Sequence, residues 1–239
     1  MDNIFSREEL LLGKDALEIL QNSRVAVFGV GGVGGYVVEV LARCGVGIID
    51  VIDNDTVDLS NINRQIIATV DTVGQNKVSV ISKRIKAINP KAIVNEHKCF
   101  FLPENSDKFD FTKYDYVVDA IDTVSGKIEI IMQSKKAGTP VISCMGAGNK
   151  LDPTAFVVTD IYKTSVCPLA RVMRQQLKKR GVKSLKVVYS TETAKKPNYI
   201  QTVQQQRKIA PGSVAFVPPV AGIIAGSEVI KDLIGYKND

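Results

Sequence analysis

Residues 24–35 read RVAVFGVGGVGG, and this stretch decides the fold. Arg24 to Phe28 has the pattern of a short buried strand, and it enters the glycines without a spacer. Val37 to Cys44 then reads as a helix. Between them Gly29-Val30-Gly31-Gly32-Val33-Gly34 spells G-x-G-x-x-G. Glycines at these places permit a tight turn and let a phosphate approach main-chain N–H groups at the positive end of the following helix. The pattern marks Gly29, Gly31, Gly32 and Gly34 as nucleotide-binding candidates. By itself it does not separate users of NAD, FAD and ATP.

Downstream, Gly47 to Asp53 (GIIDVID) is a second strand. It ends on Asp53, 19 residues after Gly34, where a carboxylate can accept ribose hydroxyls. Asn76 to Ile88 is a helix stopped by Asn89-Pro90, since proline disfavours helical geometry in the residue before it. Ala92 to Lys98, Tyr114 to Asp119 and Thr139 to Cys144 are further strands, with a helix from Ser125 to Ala137. This alternation predicts an α/β fold with a doubly wound, mostly parallel Rossmann-like sheet and helices on both faces. Upstream, Arg7 to Gln21 has the spacing of one helix, with Leu10, Leu11, Leu17 and Leu20 on or near one face.

After Gly148 the rhythm changes. Phe156 to Val158 reads as an isolated strand, Pro168 to Arg180 as a basic helix, Leu185 to Tyr189 as a strand and Val220 to Leu233 as an apolar helix. The expectation is a single domain over 1–239. It comprises a nucleotide-binding core at 24–150 and a basic helix/strand extension at 151–239 that faces the substrate. The polar stretch from Thr191 to Ile209 is expected to be mobile or ordered on binding.

Composition narrows the class. Hydrophobic content of 45% and charged content of 23% are those of a soluble globular chain. The first residues carry Asp2, Arg7, Glu8 and Glu9 rather than a basic start and an apolar run. The most apolar stretch, Val214 to Ile224, holds Pro218 and Pro219 and is too short for a bilayer. A cytoplasmic protein without membrane contact is expected. Cys44, Cys99, Cys144 and Cys167 form no C-x-x-C pair, so no structural zinc is expected. His97 is the single histidine, which nearly excludes triads and histidine-dependent metal hydrolysis.

The net charge of +6 hides an asymmetry. Lys163 to Lys208 holds 12 of the 31 basic residues and one of the 25 acidic ones, a local charge of +11 against −5 for the remainder. Such a split points to one polyanion-facing surface. Arg171, Arg174 and Lys178 share a helical face, with Lys179, Arg180, Lys183 and Lys186 close behind. Arrays of this kind neutralise nucleic-acid phosphates. Tyr162, Tyr189 and Tyr199 are candidates to stack on an unpaired base, with ordinary packing the simpler reading.

Up to Asp53 a dehydrogenase fits equally well; the following residues break the tie. Asp53-Asn54-Asp55 leads to Ser60-Asn61-Ile62-Asn63-Arg64-Gln65, and Val73-Gly74-Gln75-Asn76-Lys77 follows. Hydride transfer builds no charge on phosphate, whereas attack on an α-phosphate does. Arg64 and Lys77, with Asn61, can stabilise that charge and the leaving pyrophosphate. Asp119-Ala120-Ile121-Asp122 ends the fourth strand at the carboxyl edge of the sheet, where Asp122 is placed to hold Mg²⁺ against phosphates. The set predicts ATP as cosubstrate and attack on its α-phosphate, an adenylation.

GVGGVGG, DNDTVDLSNINRQ, VGQNK and DAID together resemble the ubiquitin-activating-enzyme-like superfamily, which includes the adenylating enzymes of molybdopterin and thiamine synthesis. The likeness runs from about Phe5 to Gly235. It implies that Gly31 and Gly32 sit under ATP, that Asp53 binds ribose, that Asn61, Arg64 and Lys77 contact phosphates, and that Asp122 is the magnesium ligand. Arg7, in FSREELLL, is similar to an arginine that crosses a homodimer interface into the partner's site. DAIDTVSGK, SCMGAGNKLDPT, VTDIYKTSVCPLARVMRQQLKKRGV and VVYSTE resemble, more narrowly, the tRNA threonylcarbamoyladenosine dehydratases.

In that family ATP adenylates the carboxylate of N6-threonylcarbamoyladenosine beside the anticodon, and an internal nucleophile displaces AMP to close a ring with loss of water. A sulfur-relay protein is a further partner that the superfamily brings in. Some members also carry a sulfur- or thioester-forming cysteine, which draws attention to Cys167 in SVCPLA, although a plain thiol is the simpler reading. Two rivals remain, activation of the carboxyl terminus of a ubiquitin-like or sulfur-carrier protein, and a non-catalytic ATP-sensing scaffold.

Overall fold

The computed structural model describes residues 4–196 and 211–236. In chain order it contains α1 (Ser6–Leu12), α2 (Lys14–Asn22), β1 (Arg24–Phe28), α3 (Gly34–Arg43), β2 (Ile48–Ile52), α4 (Lys77–Ile88) and β3 (Ile93–His97). There follow β4 (Tyr116–Asp119), α5 (Val124–Ala137), β5 (Val141–Cys144), β6 (Phe156–Asp160), α6 (Pro168–Lys179), β7 (Lys186–Ser190) and α7 (Pro218–Leu233).

Strand alternation builds two cores from one sheet. Val25 and Val27 of β1 point to one face, where Leu41 of α3, Ile81 of α4 and Ala225 of α7 pack. Ala26 and Phe28 point to the other, against Ile131 of α5 and Met173 of α6. The strands run in the order β3-β2-β1-β4-β5-β7-β6, all parallel except β6 against β7. This is the doubly wound, mostly parallel α/β sheet expected. The connection from β3 to β4 supplies Phe101, Phe109 and Phe111, whose ring centroids lie 4.8, 5.6 and 5.7 Å from that of Phe28. Each such ring, fully buried, contributes about 1.5–3 kcal/mol.

Two readings need correction. The single helix from Arg7 to Gln21 is two helices, broken at Gly13 with φ 84° and ψ 164°. The break takes α1 off the buried face of α2, so Leu17 and Leu20 are buried while Leu10 and Leu11 are 87% and 84% exposed. Phe156 to Val158 is not an isolated strand, because it belongs to β6 and pairs antiparallel with β7 at the sheet edge. Residues after 150 therefore continue the sheet of the core. Thr191 to Lys196 carries no helix or strand. The rest of the stretch expected to be mobile, 197–209, falls outside the described residues, as does Tyr199.

In the middle of β2 Asp50, fully buried, binds Arg24 through two bonds of 2.8 and 2.9 Å, His97 at 2.9 Å and Asn95 at 3.1 Å. Burial favours its neutral form. The hydrogen bonds from His97, Arg24 and Asn95 outweigh that effect and hold its pKa at about 2. The single histidine is thus a structural partner, tilted against Phe109.

Candidate active site

The strand order reverses between β1 and β4, which opens a crevice at their carboxyl ends. Gly29 leaves β1 at φ 86°, and a Cβ there would meet the Ala120 carbonyl oxygen at 2.8 Å. Gly34 opens α3 so close behind it that a Cβ would stand 1.8 Å from the Gly29 oxygen. Only glycine fits either place. The turn between them is drawn tight, and Gly29, Gly31 and Gly32 line a cavity of about 410 Å³. Gly34 is not among the lining residues; it lets the turn close.

Asp53, Asn61, Arg64, Lys77 and Asp122 line the same cavity. Asp53 Oδ2 accepts the Val30 N–H at 2.8 Å, and its Oδ1 accepts the Asp55 N–H at 2.9 Å. The carboxylate thereby braces the glycine turn and keeps a free lone pair on each oxygen. Lys77 is the first residue of α4, and its Nζ lies 2.8 Å from Asp55 Oδ2. The lysine side chain is 6% exposed and its partner 63%, so the ammonium is presented to the cavity by an acidic arm at its rim. Asn61 is buried, its Oδ1 accepting the Asp58 N–H at 3.1 Å in a capping box around a single 3-10 turn, Leu59–Asn61. Arg64 donates to the Ser60 carbonyl at 2.8 Å and to Asn63 Oδ1 at 3.0 Å.

Asp122 follows β4 by three residues rather than ending it, and lies just before Thr123, the residue that precedes α5. It is exposed, and among the described residues its carboxylate meets only the Thr123 hydroxyl, at 3.5 Å. Arg7 lies outside the cavity lining, exposed on α1.

Several residues of the site were not singled out by sequence. Asp55, in the run Asp53-Asn54-Asp55, lines the cavity and pairs with Lys77. Gln65 is buried in the cavity wall with no hydrogen-bond partner for Oε1 among the described residues. Lys127 and Asp119 form a fully buried pair at 3.0 Å. Lys127 Nζ also donates to the carbonyls of Ile121 at 3.0 Å and Cys144 at 2.8 Å, and the Ser143 hydroxyl closes on Asp119. One ammonium therefore ties the chain leaving β4, which carries Asp122, to the chain leaving β5. A lysine set among Ile128, Ile130 and Ile131 in a helical run was the signal that could have revealed it.

The thiol that reaches the cavity is that of Cys99, whose pKa burial pushes up. Cys167 is buried in the core beside α6 and does not line the cavity.

On α6, Ala170, Met173 and Leu177 face the core, which leaves Arg171, Lys178, Lys179 and Arg180 exposed. Arg174 is half-buried and bonds the carbonyl and hydroxyl of Thr164, the carbonyl at 3.0 Å. Arg180 bonds the Gln176 carbonyl at 3.0 Å and its side-chain oxygen at 2.8 Å. Lys186 is not part of the open basic face, because Asp232 at 2.7 Å and Glu228 at 3.2 Å neutralise it. Tyr189 is buried, and the Tyr162 hydroxyl donates to the Val182 carbonyl, so Tyr189 offers no stacking platform.

A glycine turn at a topological switch point, with a lysine, an arginine and a carboxylate converging on it, defines a nucleotide-binding α/β protein equipped to handle phosphate charge. The sequence profile of the ThiF family matches residues 5–239. The tRNA threonylcarbamoyladenosine dehydratase of Bacillus subtilis (strain 168) is 45% identical over 239 residues, covering 96% of this chain and 94% of that protein. Crystal structures of Escherichia coli tRNA N6-threonylcarbamoyladenosine dehydratase, TcdA, superpose with TM-scores of 0.88 in complex with AMP and 0.87 in complex with ATP. Both are 34% identical and cover 97% of this chain and 94% and 93% of theirs. A shorter match, 37% identical over 131 residues, is the probable adenylyltransferase/sulfurtransferase MoeZ of Mycobacterium tuberculosis, covering 55% of this chain and 33% of that protein. The chain belongs to the ThiF family, and within it to the group of tRNA threonylcarbamoyladenosine dehydratases. Among the described residues no helix is long and apolar enough to cross a membrane.

Proposed function

We propose that the chain uses ATP to adenylate the carboxylate of N6-threonylcarbamoyladenosine in tRNA and then releases AMP as the ring closes. The observation that carries this reading is the convergence of Asn61, Arg64, Lys77 and Asp122 on the cavity formed by the glycine turn. A carboxylate oxygen attacks the α-phosphorus, the bond to the β-phosphate breaks, and pyrophosphate leaves. An internal nucleophile of the same nucleoside then attacks the acyl carbon and AMP departs with the former carboxylate oxygen. The net change is loss of one water from the nucleoside and hydrolysis of ATP to AMP and pyrophosphate. Holding both groups on one nucleoside makes the second step intramolecular.

In this reading Gly31 and Gly32 let main-chain N–H groups approach the phosphates, and Asp53 accepts ribose hydroxyls with its free lone pairs. Arg64 and Lys77 stabilise the charge that develops on the transferred phosphate and on pyrophosphate. Lys77 exchanges its bond with Asp55 for one with phosphate. Asp122, exposed and without an ion pair among the described residues, suits a Mg²⁺ ion bound mainly by the phosphates. Such an ion would supply charge neutralisation at the phosphates. Among the described residues no group of three His, Cys, Asp or Glu could hold a metal ion without such help.

The substrate reaches the cavity along the basic face of α6, with Arg171, Arg174, Lys178, Lys179 and Arg180 near the RNA backbone. The protein works in the cytoplasm as a homodimer, with Arg7 entering the partner's site. A sulfur-relay protein is a second candidate partner.

The test is incubation with ATP, Mg²⁺ and tRNA carrying threonylcarbamoyladenosine. The expected products are AMP and a nucleoside lighter by one water. AMP formed only with a ubiquitin-like or sulfur-carrier protein would replace the tRNA reading. No AMP with either substrate would make the chain an ATP-sensing scaffold.

A further inference from the structure

Asn149, just after β5, sits at φ 57°, a conformation that Asn tolerates better than most residues with a side chain. Three of its polar groups bind segments far along the chain. Its N–H donates to the Gly212 carbonyl at 2.7 Å, and its Oδ1 accepts the Gly212 N–H at 2.7 Å. Its carbonyl accepts the Lys195 N–H, again at 2.7 Å. Beside it the bare Gly148 admits Pro211, since a Cβ there would stand 2.7 Å from Pro211 Cβ. From the other side Asn63 Nδ2 donates to the Ser213 carbonyl at 2.9 Å. Pro211 and Ser213 are thus fixed from two directions as a wall of the cavity. The Ser213 hydroxyl on that wall is buried and has no hydrogen-bond partner among the described residues.

A buried hydroxyl without a partner is destabilising, so a wall braced this firmly around one is suited to a ligand that completes the bond. We propose that Ser213 is a substrate-contacting residue whose hydroxyl donates to an oxygen of the carboxylate-bearing threonylcarbamoyl group, and that Asn149 is the residue that positions it. The place favours the carboxylate that accepts the adenylyl group over ATP. Ser213 is tied to Asn63, which stands between Asn61 and Arg64, the groups assigned to phosphate. The attacking carboxylate must come within about 3–3.5 Å of the reacting phosphorus, next to that set. This inference rests on the reading given under Proposed function.

Steady-state kinetics on Ser213→Ala, Asn149→Gly and Asn149→Asp, with ATP and modified tRNA varied separately, test it. Ser213→Ala should lower kcat/KM for modified tRNA by about tenfold while the KM for ATP stays within about twofold, the size of one lost charge-assisted hydrogen bond. Asn149→Gly keeps the backbone conformation but removes Oδ1, and should move in the same direction; Asn149→Asp restores the acceptor and should recover most of the loss. Wild-type kinetics in Ser213→Ala would overturn the contact, and an equal rise in the KM for ATP would assign the hydroxyl to the nucleotide. Full activity in Asn149→Gly would reduce Asn149 to a backbone requirement. A wild-type protein that forms no AMP with modified tRNA would instead overturn the functional reading, and this contact with it.

Discussion

The cations at the cavity and those on α6 are the same residue types held in opposite ways. Lys77 is almost fully buried and gripped by Asp55, and Lys127 is sealed beneath the rim between Asp119 and two carbonyls. Arg171, Lys178 and Lys179 stand in solvent on a helix whose other face is apolar. Fixed charge in a desolvated place acts at a point, on one bond of one ligand. Solvated charge acts as a field that weakens as salt rises. The difference teaches that the net charge of +6 is no map of the site, since the cavity is lined by the buried Lys77 and by none of the basic residues of α6.

The comparison is sharpest at Lys77. Lys77→Ala and Asp122→Ala should each lower the rate of AMP formation by about 10²–10³-fold, the scale of losing one preorganised charge at the reacting phosphate. Circular dichroism melts should show the fold intact, and near wild-type rates in both variants would move the active site elsewhere. Lys127→Met should instead cost stability, about 3–5 kcal/mol in denaturant unfolding, because it leaves Asp119 buried without its partner. Adding Asp119→Asn should recover part of that loss. If it recovers none, the pair is not what holds the two strand ends together.

Asp50 provides a fixed charge in the middle of β2, outside the cavity lining. Its pKa, lowered to about 2, makes its stabilising contribution complete above the unfolded carboxylate range near pH 3.8 and lost as pH falls through about 2. Asp50→Asn should therefore destabilise by about 2 kcal/mol at neutral pH. The gap from wild type should close between pH 4 and pH 2, with kcat unchanged at pH 7. A change in kcat at neutral pH would show that fixed charge outside the cavity lining also reaches the chemistry.

The smallest effect belongs to α6. Arg171→Ala combined with Lys178→Ala should raise the KM for tRNA by about tenfold at low salt and flatten its salt dependence by roughly 0.7 per lost phosphate contact, with kcat unaltered. Lys186→Ala should leave the salt slope alone, since Asp232 and Glu228 already neutralise it. A lower kcat at saturating tRNA in the α6 variant would erase the distinction between point charge and field.

The strand, the glycine turn, Asp53 and the residues from Asn61 to Lys77 were legible because each obeys a short-range rule. Positive φ or close approach demands glycine, a strand alternates, and a carboxylate belongs at a strand end. The alternation of elements then gave the parallel sheet, and the resemblance gave the chemistry. Gly13 was missed as a helix break because a single glycine costs a helix only about 1 kcal/mol, less than an apolar pattern can outweigh. Gly34 is demanded by the close approach of the Gly29 oxygen and does not line the cavity, a distinction among the glycines that the motif does not make.

The rest depended on pairings across the chain. Lys127 meets Cys144, Asn149 meets Lys195 and Gly212, and Asn63 meets Ser213, at separations from 17 to 150 residues. No periodicity encodes such a contact, because it is fixed only when β5 and β7 lie side by side and α7 returns across α3. Which of the basic residues stay free was also settled by neighbours, as Lys186 and Arg174 illustrate. By itself the sequence determined the nucleotide-type α/β sheet and some of the residues lining its crevice, because local backbone sterics and strand alternation fix where those fall. The tertiary structure alone decided which charges are held, which polar groups are left for a ligand, and how the strand-end loops are tied, because those follow from burial and from partners that only folding brings together.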